Sequence, residues 1–113
     1  MKRPQIQIEA ETSIVNQLLE NALALGYSFI LSESGDILVD KTTVKKEVTD
    51  VLFDMDEGMV SVFECDRFLG AIHFVFGNDG FDVISDYNTS KEVTALVESV
   101  SALEKHYEKL IFG

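Results

Sequence analysis

Apolar and polar residues alternate most cleanly along residues 68–87, where FLGAIHFVF and FDVISDY flank Asn78, Asp79 and Gly80. Alternation with a period of two, on either side of residues that tolerate positive φ, predicts a β-hairpin. The turn pairs Asn78-Asp79 and Asp79-Gly80 both fit. They differ by two positions in register, so each side chain keeps its face. Ile72, Phe74, Phe76, Phe81, Val83 and Tyr87 share one face, which must be the core side. Ala71, His73, Val75, Asp82, Ile84 and Asp86 share the other.

Upstream, Ile14, Leu18, Ala22 and Leu25, with Val15, Leu19 and Leu23 beside them, recur at helical spacing from Thr12 to a stop at Gly26. The stretch before Thr12, with Ile6, Ile8 and Ala10, fits either a short leading strand or the first turns of that helix. Residues 27–32 and 36–40 read as two strands around Ser34-Gly35, apolar on both sides as in covered strands. Thr42 or Thr43 caps a second helix carrying Val44, Val48, Val51, Leu52 and Met55 on one stripe. Residues 59–65 form a third strand, which Asp66-Arg67 turns into the hairpin. With Cys65 opposite Phe68, the side chains of Met59, Ser61, Phe63 and Cys65 join the aromatic face. Val60, Val62 and Glu64 then join the mixed face. A capping box of Thr89 and Glu92 opens one final helix of about five turns. Val93, Leu96, Val97, Val100, Leu103, Tyr107 and Leu110 recur along it and should lie across the aromatic face.

The order α-β-β-α-β-β-β-α predicts one α+β domain over residues 1–113: a mainly antiparallel sheet of about five strands, with helices packed on it and room for an extra N-terminal strand. Whether the second helix links parallel strands stays open.

Composition narrows the function classes. With 113 residues, 46% of them hydrophobic and eight of them Phe, the chain can build a core without disulfides or metal. The single cysteine, Cys65, excludes an intramolecular disulfide and lies in no CxxC or Cys/His pattern. No long apolar run and no apolar leader occur, so the expectation is a cytoplasmic protein with no membrane partner. Twenty acids against nine bases give a net charge of −11 and a pI near 4.4. Such a field repels phosphate backbones, which argues against direct nucleic-acid binding and for a basic protein partner.

Candidate chemistry is sparse. With the Asp79-Gly80 turn, His73 lies opposite Asp86, a pair able to hold an imidazole for general-base work. No Gly-x-Ser-x-Gly element or reactive-cysteine context accompanies it, and opposite-charge pairs are ordinary on exposed sheet faces. Asp54, Asp56, Glu57 and Gly58 open like a calcium loop, but Met59 and Cys65 stand where its glycine and its final acid are required. Gly77 to Gly80 lacks the Lys-Ser/Thr of a phosphate loop. No catalytic residue, cofactor or metal is expected.

What remains is a surface. Val60, Val62, Ala71, Val75 and Ile84 form an apolar strip around His73, rimmed by Glu64, Asp82 and Asp86. Unless the first two helices cover it, this strip is the candidate interaction face. The function expected from it is a non-enzymatic protein-interaction module that self-associates as a homodimer. The alternatives are an acidic nucleic-acid mimic or inhibitor of a basic partner, a secretion-chaperone or immunity-type protein, and last a small enzyme using His73 and Asp86.

Overall fold

A computed structural model of the chain describes residues 5–77 and 83–112. The first helix, α1 (Gln5–Ala24), buries Ala10, Glu11, Ile14, Val15, Leu18, Leu19 and Ala22 as one stripe. Its first turns use the stretch that could also have been a leading strand, so no N-terminal strand forms there. Past its end, Gly26 takes φ +86° and its N–H bonds to Leu23 O. The strands β1 (Tyr27–Glu33) and β2 (Asp36–Thr42) form a hairpin around Ser34 and Gly35. Both of those residues have positive φ, as a two-residue hairpin turn matched to strand twist requires.

Thr42 closes β2 and organises the entry to α2 (Lys45–Leu52). Its hydroxyl accepts the Val44 N–H at 3.0 Å and donates to the Glu47 carboxylate. Val44 is the N-cap and makes no side-chain cap bond, so Thr42 acts from two residues upstream. Then come β3 (Glu57–Glu64), β4 (Arg67–Val75) and β5 (Ile84–Tyr87), followed by α3 (Lys91–Ser99) and α4 (Ser101–Phe112).

The result is a single α+β domain with a five-stranded antiparallel sheet in the order β2-β1-β3-β4-β5. Since β1 is antiparallel to both β2 and β3, those two strands run parallel to each other with β1 between them. The α2 connection is therefore a crossover that spans a strand. The helices pack on one face, carrying Phe29, Leu31, Val60, Val62, Ile72 and Phe74, all fully buried. On that face a Cβ at Gly58 would meet Leu52 of α2, and one at Gly70 would meet Val93 of α3. The far helix α4 leans on α1, where Tyr107 Oη lies 3.2 Å from Ser13 Oγ.

Three expectations change. The expected single C-terminal helix is two, broken at Val100 (φ −109°, ψ 5°), which stays fully buried. The cap of α3 is Ser90, whose Oγ accepts the Val93 N–H, in place of a Thr89–Glu92 box; Glu92 turns instead to Arg67. Most consequential is the β3–β4 register. Phe63 pairs with Phe68, but Val62 pairs with Gly70, leaving Leu69 as a bulged extra residue. That one-residue shift puts Val60 opposite Ile72 on the core side and Met59 opposite His73 on the other. A second shift follows in β5, where His73 pairs with Asp86 but Phe74 with Ile84. The predicted aromatic face is otherwise as expected: Ile72, Phe74 and Val83 are buried, and Phe76 and Tyr87 pack against them. Phe81 and the turn residues Asn78, Asp79 and Gly80 lie outside the described residues.

Candidate interaction face

The sheet face turned away from the helices is built from cross-strand rows. One row is Ser32, Met59, His73 and Asp86; the next is Ile30, Ser61 and Ala71; the third is Ser28, Phe63 and Phe68. Side chains in such rows stand side by side. Over β3 and β4 the outer rows are large, with Met59, His73, Phe63 and Phe68, and the middle one is small, with Ser61 and Ala71. A groove of about 350 Å³ therefore crosses the strands, floored by Ser61 and Ala71 and walled by Met59 and His73 on one side and Phe68 on the other. It opens at Asp86 and Asn88. Asn88 fixes that mouth: its Oδ1 accepts the Ala71 N–H at 2.6 Å, and its own N–H donates to Ala71 O.

The apolar walls are open. Met59 is 42% exposed and Phe68 56%. Phe68 meets Phe63 edge to face at 5.6 Å between centroids, and Lys41 Nζ sits 4.9 Å from the Phe63 ring centre.

Charge is divided between the two ends of the face. At the Phe63 end, Lys41 pairs with Asp66 at 3.0 Å, and Arg67 bridges Glu64 (3.2 Å) and Glu92 (3.0 Å). Those hydrogen-bonded carboxylates hold the Arg67 guanidinium more firmly protonated. The Glu92 carboxyl sits below the ordinary glutamate range, first because its own backbone N–H bonds it and second because Arg67 does. At the opposite end, His73 Nε2 lies 3.6 Å from Glu57 Oε2. A smaller depression there, of about 250 Å³ and lined by Ser32, Glu33, Glu57, Met59 and His73 among others, includes no lysine or arginine. Asp36 and Asp56 are exposed at the same end of the sheet.

Of the nine residues expected on the interaction face, Ala71, His73 and Val75 lie on the open side and Asp86 at its edge. Val60 and Val62 are fully buried and Ile84 is 8% exposed, all three facing the helices because of the two register shifts. Glu64 is exposed at the far corner against Arg67, and Asp82 lies outside the described residues. His73 is in register with Asp86, yet its nearest carboxylate is that of Glu57. The sequence reading missed Met59, Ser61, Phe63, Phe68 and Asn88. The available signal was Gly70 inside a strand pattern, a common mark of a bulge.

Among the described residues no three His, Cys, Asp or Glu side chains gather as metal ligands would, and no helix is long and apolar enough to cross a membrane. Cys65 is an exposed free thiol at the β3–β4 turn. No family model matches the chain, and no curated protein or solved structure matches it either.

Proposed function

We propose that this chain is a non-enzymatic protein-interaction module and that the open face of its sheet is the binding surface. One observation carries the reading: the helices pack on one side of the sheet, leaving Met59 and Phe68 largely exposed on the other. Large apolar side chains left exposed near one another on a surface are the usual mark of a docking site. Binding is favoured over catalysis because the contact of His73 with Glu57 is a long one, 3.6 Å, which holds the imidazole only loosely for proton transfer. A cytoplasmic setting accords with the single free thiol.

The occupant is either a second copy of the chain or a different protein. Addition of a strand at an edge is the less favoured route to either. On β2 the Asp40 carboxylate takes the Lys41 N–H at 2.8 Å, and on β5 the Asp86 carboxylate takes the Tyr87 N–H at 2.8 Å. N–H groups already occupied are poor donors for an added strand. A phosphate-mimicking role draws less support, since Lys41, Lys45, Lys46 and Arg67 are interleaved with carboxylates as ion pairs.

The test is photo-crosslinking in the native host. With p-benzoylphenylalanine at position 68, a protein adduct is expected, with this chain or with another. The same group in place of Lys105 on α4 should give none. A failure to form adducts from position 68 overturns the reading.

A further inference from the structure

We infer that the groove across the open face takes an apolar row from a basic protein partner, with lysine or arginine side chains reaching the acidic end of the sheet. This rests on the reading of the open face as a binding surface and goes further by assigning the occupant's chemistry.

Shape comes first. Rows on one face of a strand repeat every two residues, about 7 Å apart. Over β3 and β4, large side chains on both sides of the Ser61–Ala71 pair leave space for a short line of apolar side chains, and the exposed walls at Met59 and Phe68 supply its contacts. Polar character enters at the mouth, where Asp86 and Asn88 stand.

Charge then selects the occupant. At the Phe63 end Lys41 and Arg67 are already engaged by Asp66, Glu64 and Glu92, so the charge of those two bases is offset by carboxylates. At the other end Glu57, 56% exposed at its side chain, has His73 as its ion-pair partner among the described residues. Around it the depression carrying Glu33 contains no lysine or arginine. A cationic partner gains attraction at this acidic end. A second copy, also carrying −11, meets the repulsion of two acidic bodies.

The probes are short peptides alternating leucine with lysine, leucine with glutamate, and leucine with serine, titrated into the 15N-labelled protein. The leucine–lysine peptide should shift the amides of Ser61, Ala71 and His73 and bind at least about tenfold more tightly than the leucine–serine one at low salt. That preference should collapse near 0.5 M salt, where screening lengths fall to a few ångströms. It should also collapse in the double variant Glu57→Gln, Asp86→Asn, whose changes lie at exposed positions. Equal binding of all three peptides at the groove overturns the cationic partner while leaving the face as a binding surface. Self-association through the face, seen by sedimentation with no peptide binding, has the same meaning. A monomer whose groove amides no peptide shifts, with no crosslink from position 68, removes both.

Discussion

Replacing Gly70 with alanine should destabilise the fold far more than the same change at Gly26. Gly70 has φ +149°, and a Cβ built on it would lie 2.7 Å from Val93 Cγ2, 3.0 Å from Asn88 Cβ and 3.2 Å from Ser90 Oγ. Two costs follow. The backbone conformation is one that side chains rarely adopt, worth about 1–3 kcal/mol. The added methyl enters a filled space between β4 and α3, and overpacking of that kind costs about 1–3 kcal/mol more. Together they amount to roughly 2–6 kcal/mol, a large part of the 5–15 kcal/mol typical of a domain. At this chain length the melting temperature should fall by roughly 8–25 °C.

Gly26 is the control. It also has positive φ, +86°, but nothing lies within 4 Å of its Cβ position. Gly26→Ala therefore carries only the backbone term, about 1–2 kcal/mol. Urea unfolding of Gly70→Ala, Val93→Ala and the double variant separates the contributions for Gly70. If Val93 Cγ2 is the obstacle, the cost of the glycine change should shrink by more than about 0.5 kcal/mol when Val93 is already alanine. A Gly70→Ala protein no less stable than Gly26→Ala would refute the close approach of β4 and α3.

Three other outcomes are expected. Val100→Asp places a carboxylate at a fully buried position between α3 and α4, and without a partner its burial costs enough to abolish a cooperative thermal melt. A carbon-13 titration of Glu92 should give a midpoint below the ordinary glutamate range. Arg67→Gln should raise it part of the way, since the backbone N–H is the larger cause. Because the native midpoint is lowered, the contact stabilises the fold above the ordinary carboxylate range and is lost as pH falls through the lowered midpoint. The Glu11 carboxylate, only 2% exposed, accepts the Gly77 N–H at 2.7 Å, so Glu11→Ala should speed amide hydrogen exchange at Gly77. Unchanged exchange would mean that this contact does not hold the end of β4.

The element types were legible because local patterns state them. Ile14, Leu18 and Ala22 mark a helical stripe, and Phe74 with Val83 mark a buried strand face. The candidate site was half legible for a different reason. Facing in a strand depends on parity, and parity depends on register across the whole hairpin. A turn pairing Cys65 with Phe68 and an unbroken ladder would place Val60 outward. The chain instead turns at Cys65-Asp66, with Glu64 against Arg67, and bulges at Leu69, so Val60 turns in and Met59 out. Alternation alone carries no mark of a bulge, and Gly70 was its only trace. The break at Val100 was hidden for a similar reason: Val93, Leu96, Val97 and Val100 continue one helical stripe, and no Gly or Pro interrupts it.

The bulge also explains why core and binding face are not separate designs. With Leu69 as the extra residue, Leu69 and Gly70 are both buried, while Phe68 remains outside against Phe63. One step in register thus keeps Phe68 on the open side and Ile72, four residues on, in the core, which an unbroken strand of this sequence could not do. Removing Leu69 would restore an unbroken ladder with both faces kept. Phe68 stays opposite Phe63 on the open side, and Gly70, now its neighbour, stays opposite Val62 on the core side. What is lost is the buried Leu69 side chain, 6% exposed, whose burial is worth about 1.5–3 kcal/mol. A Leu69 deletion should therefore remain folded at reduced stability and keep the groove, and crosslinking from position 68 should survive. If crosslinking disappears in a deletion variant that still melts cooperatively, the aromatic wall depends on the bulge itself and the faces do not follow from register alone.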